Sequence, residues 1–234
     1  MKKLLTRIAT VIIFSASMST IVQAEEASVI ARGGQLYDKW FKVIDAPKPA
    51  DTHKAWPASN TKKKGDVTWR CKSCHGWDLR GKDGAYSKGS YKTGIKGLQG
   101  VAGAPLEEII TVMKDDTHGM EGMMNEQDYH DLALFVSKGQ VDMSSIINPD
   151  KSVNGDVAKG EAYYNTICAG CHGKDGKLPR DLAAPLGKIV SSNPWEGLFK
   201  ILNGQPKESM PAMRALPIDV STDILSYMMT LPQK

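Results

Sequence analysis

Two short runs carry the chemistry of this chain: Cys71-Lys72-Ser73-Cys74-His75 and Cys168-Ala169-Gly170-Cys171-His172. In each, two thiols three positions apart are followed at once by an imidazole, the C-x-x-C-H spacing of covalent haem attachment. Each thiol adds to one vinyl group of the porphyrin, and the histidine after the second cysteine is held under the ring, where it binds iron. Two copies imply two haem c groups. A redox dithiol, a four-cysteine zinc site and a pair of disulfides are the competing readings. All three leave His75 and His172 to coincidence, and one zinc site would have to bridge a spacer of more than 90 residues.

The rest of the chain must position those residues. With 234 residues and 41% hydrophobic content it can bury a core or two of about 100 residues each. Residues 1–24 read as an export leader: Lys2, Lys3 and Arg7, an apolar stretch from Ile8 to Val22, then the small-residue cleavage site Val22-Gln23-Ala24. That stretch is short for a membrane span and is interrupted by serines and threonines, and no later segment is apolar enough. Without the leader the chain carries 27 basic against 26 acidic side chains, so overall charge names no partner and nucleic acid is not expected. The distribution is uneven: 13 Lys/Arg against five Asp/Glu from Lys42 to Lys96, then nine acids against two bases from Glu107 to Asp142. The basic stretch is either a solvated face or an area that steers docking with an acidic redox partner.

Residues 28–42, with Val29, Ile30, Leu36, Tyr37, Trp40 and Phe41, predict an amphipathic helix. Residues 45–66 contain Pro47, Pro49, Pro57 and Lys62-Lys63-Lys64, and predict an irregular segment wrapping one side of the first haem. Trp56 or Trp69 would shield that haem or fill core. After His75 the chain is too glycine-rich for long helices as far as Gly100. Helices are expected at 105–115 and at 125–137, the second capped by Asn125 and ended by Gly139. Residues 140–154 are polar, contain Pro149 and predict the link between two halves. The pattern then repeats, with a helix at 156–167 running into the second motif and Gly160 and Tyr163 spaced like Gly34 and Tyr37. Asn193-Pro194-Trp195-Glu196 starts a helix ending near Gly204, and a last helix covers about 219–231.

On these residues each half resembles a small class I cytochrome c domain, a family with a helix before C-x-x-C-H, a loop-rich wrap around the haem, a distal Met-Pro and a closing helix across the first. The resemblance covers nearly all of residues 28–231. It implies an all-α fold of two tandem class I cytochrome c domains, 25–145 with a basic Pro/Lys-rich insertion at about 42–70, and 146–234. The whole resembles the tandem dihaem cytochromes c of the bacterial periplasm. It implies thioether bonds at Cys71, Cys74, Cys168 and Cys171 and iron ligation by His75 and His172. Met210 of Met210-Pro211 fits the family's distal position, with Met213 as its rival and Met228 and Met229 as core. The first half has no Met-Pro pair. Sliding the two C-terminal helices over each other sets Leu132 on Ile224 and Phe135 on Tyr227, and that offset of 92 puts His118 on Met210. Met120 or Met123, an open position, and His53 from the insertion are the alternatives to His118; His130 reads as exposed. The family also supplies a proline carbonyl to hold the proximal imidazole, and Pro185 matches it in the second half; the comparable region of the first half is Thr93-Gly94-Ile95.

The function this implies is electron transfer between periplasmic redox proteins, from a lower-potential bis-histidine haem to a higher-potential His/Met haem. The alternatives are the electron-accepting subunit of a periplasmic oxidoreductase complex and a dihaem enzyme with an open first iron. No phosphate-binding glycine loop, nucleophile elbow or metal-ligand helix suggests other chemistry, so a carrier rather than an enzyme is expected.

Overall fold

A computed structural model of the chain describes residues 2–180 and 182–234, with side chains described from residue 23 onward. The side chains on which the leader reading at 1–24 rests fall mostly outside the described residues. Among the described residues the chain is helical, without β-strands, and no helix is long and apolar enough to cross a membrane. In order the helices are α1 (Lys2–Val43), α2 (Cys71–His75), α3 (Leu106–Lys114), α4 (Glu126–Lys138), α5 (Val157–Tyr163), α6 (Ala169–His172), α7 (Leu186–Ser192), α8 (Pro194–Asn203) and α9 (Ile218–Met228). Caps set several boundaries. Asn125 and Asp128 form a reciprocal capping box at the start of α4, and Asn193 accepts from the Glu196 N–H at the start of α8.

Two helix crossings, built by one device, make the frame. Helix α1 packs on α4 where a Cβ on Gly33 would lie 2.0 Å from the Asp131 carbonyl oxygen, and α5 packs on α9 where a Cβ on Gly160 would lie 2.0 Å from that of Asp223. Only a hydrogen atom allows the helices to approach so closely. Four residues on, Tyr37 and Tyr164 are fully buried. Their hydroxyls donate to the carbonyls of Gly76 (2.7 Å) and Gly173 (2.8 Å), the glycines directly after the two motifs. Their rings pack on Phe135 and Tyr227, with centroids 5.3 and 5.4 Å apart. The counterparts are therefore Gly33 with Gly160 and Tyr37 with Tyr164, one residue away from the expected Gly34 and Tyr163. Adjacent glycines and adjacent tyrosines fit a helical period equally well, and only the packing chooses between them.

The approaches to the two motifs differ. Helix α5 passes through one π-helical turn, Tyr164–Cys168, straight into α6. Helix α1 ends at Val43, beyond a non-helical Lys39, and the chain runs through turns to a 3-10 turn at Gly65–Trp69 before α2 begins. The stretch at 140–154 is not a solvated tether. Met143, Ile146 and Ile147 are buried within the apolar core, and an isolated bridge joins Ile147 to Val153.

The halves meet along α1 and α8. Phe199 of α8 lies 5.0 to 5.7 Å from the rings of Trp77, Tyr37 and Phe135. Asp38, 1% exposed, is ion-paired with both Arg70 and Lys200. Burial raises its carboxyl, but Lys200 and then Arg70 outweigh that and hold it below the ordinary carboxylate value. Arg214 donates from Nε to Asn203 Oδ1 (2.6 Å) and from Nη2 to the Gly139 carbonyl (2.7 Å) at the C-terminal end of α4, and Gln35 donates to the Asn203 carbonyl (2.9 Å).

Candidate haem centres

The four cysteines carry no disulfide. Burial pushes the thiols of Cys71 and Cys74 up to about 12 and that of Cys168 up to about 11, so they stay protonated and neutral. Among the described residues no group of three or more His, Cys, Asp or Glu side chains converges as on one ion.

In the first motif His75 closes α2 and donates from Nδ1 to the Lys96 carbonyl at 2.9 Å. A carbonyl can only accept, so the proton sits on Nδ1 and Nε2 keeps its lone pair. Burial lowers the pKa of His75, which favours the neutral form that a ligand needs. Facing it is His118, on the turn after α3. The ring centroids are 6.4 Å apart and the planes 23° apart, and His118 Nδ1 lies 3.2 Å from Asp115 Oδ1. A metal–imidazole bond is about 2.0 Å, so two imidazoles on opposite sides of one ion have ring centres roughly 6–7 Å apart. Among the described residues neither Nε2 atom has a hydrogen-bond partner, and the spacing and the engaged Nδ1 atoms fit one iron between the two rings.

The other candidates are placed differently. His53 is buried and both its ring nitrogens are used: Nε2 donates to the His118 carbonyl (2.8 Å) and Nδ1 accepts from the Ala55 N–H (3.0 Å). It therefore supports His118 and has no nitrogen left for iron. Met120 is buried, with its carbonyl accepting from the Tyr129 hydroxyl, and Met123 is half-buried. His130 is exposed. Trp56 and Trp69 bond within the insertion, to the carbonyls of Asn60 (3.2 Å) and Asp51 (2.8 Å).

Between the first two thiols, Lys72 is buried, with Nζ 4.5 Å from the Trp77 ring centre and 4.6 Å from that of Tyr91. Burial, then Arg70, pushes its ammonium down to about 7, against the attraction of the two aromatic faces. Lys200 lies over the same indole at 5.4 Å.

In the second motif His172 Nδ1 is 3.1 Å from the Leu178 carbonyl. The expected acceptor, Pro185, instead starts α7. A shorter loop reaches the ring, because the Leu178 N–H also returns to the His172 carbonyl at 3.0 Å. Met210 is half-buried on the loop between α8 and α9. Gly204, at φ 79°, brings the backbone so close that a Cβ there would lie 2.7 Å from the Met210 carbonyl oxygen. Met213 is buried and its N–H donates to the Ile201 carbonyl (3.0 Å).

Residues 155–228 match the family model described as cytochrome C oxidase, cbb3-type, subunit III. This stretch is similar to the c-type cytochrome domain of that family. No curated protein matches the chain. The matched residues include Cys168, Cys171, His172 and Met210, and the similarity points to haem c binding and electron transfer. Cytochrome c domains typically work outside the cytoplasm. The first motif lies before the matched residues, so its centre stands on its own geometry. Sequence reasoning missed Asp115, the bracing role of His53, and the Lys96 and Leu178 carbonyls. Asp115 left a trace: an aspartate two and three residues before backbone N–H groups it can bind is a turn signal. The carbonyls left none.

Proposed function

We propose that the chain is an exported, periplasmic dihaem electron carrier made of two tandem cytochrome c domains, 25–145 and 146–234, behind a cleaved leader at 1–24. In this reading Cys71 and Cys74, and Cys168 and Cys171, tether the two haems. His75 and His172 bind iron from the proximal side, His118 fills the first distal position and Met210 the second. The observation that carries the reading is the pair of imidazoles, His75 and His118, 6.4 Å apart with Nδ1 engaged on each. The matched crossings at Gly33 and Gly160 support two domains of one plan.

Haem supplies a one-electron couple when bound. The chain would fix the ligands and hold each haem in a water-poor pocket with one edge exposed, so that little rearranges as the charge changes. A thioether is a soft, neutral donor that favours reduced iron, whereas two imidazoles favour the oxidised form. Electrons therefore enter at the first centre and leave from the second, passing between periplasmic redox proteins. Two filled distal positions favour a carrier over a catalyst.

The test is combined electron paramagnetic resonance and near-infrared spectroscopy of wild type, His118→Ala and Met210→Ala. Wild type is expected to contain one bis-histidine and one His/Met low-spin haem, and each variant to lose one of them. Exported protein with no mass added at the four cysteines, or a first haem indifferent to His118→Ala, would overturn the assignment.

A further inference from the structure

We infer that Asp115 and His53 are positioning residues for the distal imidazole of the first centre, and that the insertion preceding Cys71 is the strap that holds it. This rests on the assignment of His118 proposed above. Asp115 Oδ1 receives three donors: the N–H of Thr117 (2.9 Å), the N–H of His118 (2.9 Å) and His118 Nδ1 (3.2 Å). One oxygen thus fixes both the turn and the ring that projects from it. From the other side, His53 Nε2 donates to the His118 carbonyl at 2.8 Å.

His53 is itself anchored. Its N–H donates to Thr68 Oγ1 (2.9 Å), whose hydroxyl donates to the Gly65 carbonyl (2.6 Å), and its ring stands edge-on to Trp69 at 4.4 Å. Lys54 lies against Gly119, 3.1 Å from where a Cβ would be. The segment between α1 and α2 therefore runs from the first cysteine motif to the distal turn and grips that turn by its backbone.

The second half has no such segment, since α5 enters its motif directly. The chemistry accounts for the difference. An imidazole ligand has a second nitrogen whose hydrogen bond sets the ring's orientation and basicity, and a thioether has no N–H to be held. A carboxylate on that second nitrogen makes the ligating nitrogen more basic and favours oxidised iron. The Asp115 side chain is 42% exposed, so solvent screens its charge, and the effect falls at the modest end for partners of metal-bound histidines.

The experiment uses the haem-loaded full chain and reads both midpoint potentials together with the paramagnetic resonance signals. Asp115→Asn keeps an oxygen for the backbone donors and removes the charge. It is expected to raise the first haem's potential by a roughly tenfold change in its oxidised-to-reduced ratio, to alter that haem's g-values and to leave the second haem unmoved. His53→Ala is expected to speed cyanide binding at the first haem, and His53→Gln, which keeps an N–H donor, to restore the slower rate. If His118→Ala abolishes the first low-spin signal while Asp115→Asn shifts neither potential nor g-values, the positioning role falls and the ligand assignment survives. If His118→Ala leaves that signal intact, both fall.

Discussion

In the first half the residue assigned to the distal position is an imidazole held by Asp115 and His53; in the second it is a thioether on a loop pressed against Gly204. Beneath this difference the helix crossings agree closely, from the glycines where an added Cβ would lie 2.0 Å from the facing carbonyl to the tyrosine–carbonyl bonds at 2.7 and 2.8 Å. The motifs also differ in cover. Lys72 and Ser73 are buried, the lysine beside Trp77 and under the reach of α8, whereas Gly170 and Cys171 are exposed. The tyrosine–carbonyl bonds hold the end of each motif in the same way, and in the proposed reading the loops around it decide ligand type and contact with water.

Six variants test how far that likeness extends. The largest effect is expected from Cys168→Ala with Cys171→Ala, which should remove one covalent haem by mass and leave the first low-spin signal intact; loss of both haems would mean that the centres are not separately built. Next is Asp38→Ala, which strands Arg70 and Lys200 in the seam and should cost about 3–5 kcal/mol of unfolding free energy in a denaturant titration. The Asp38 carboxyl is depressed in the fold, so its contribution is complete above the ordinary carboxylate value near ~4 and is lost as pH falls through the depressed one. The gap between wild type and Asp38→Ala should therefore narrow only in acid.

Smaller effects compare the crossings directly. Gly33→Ala and Gly160→Ala each force a methyl against a backbone carbonyl, and each should cost about 1–3 kcal/mol. Equal losses would support one shared frame, and a tolerated Gly160→Ala would break the parallel. Smallest are Tyr37→Phe and Tyr164→Phe, each removing one hydrogen bond worth about 1 kcal/mol. The Tyr37 change should be the larger, since its hydrogen bond is buried and that of Tyr164 only partly so.

Much of this was legible in the sequence, because the C-x-x-C-H runs, Asn125 and Asn193 act through spacing and local capping. The offset of 92 between the closing helices also has a physical image, since Asp131 and Asp223 occupy the same place in the two crossings. What could not be read depends on chain separated in sequence. The Lys96 and Leu178 carbonyls carry no side-chain signature. The bracing of His118 by His53 joins positions 65 residues apart. The burial of Met143, Ile146 and Ile147 in a mostly polar stretch follows from tertiary packing that no local pattern announces.

Arg214 stands four residues beyond Met210, and its guanidinium, pushed down to about 10 by burial, is lodged on the Gly139 carbonyl. The far side of the loop that presents the thioether is thus moored to the opposite half of the molecule. Cutting the chain near residue 146 would leave that cation with only Asn203 Oδ1 as acceptor and would remove Trp77, Tyr37 and Phe135 from around Phe199. The two halves are therefore expected to melt as one cooperative transition in calorimetry, rather than as interchangeable cassettes.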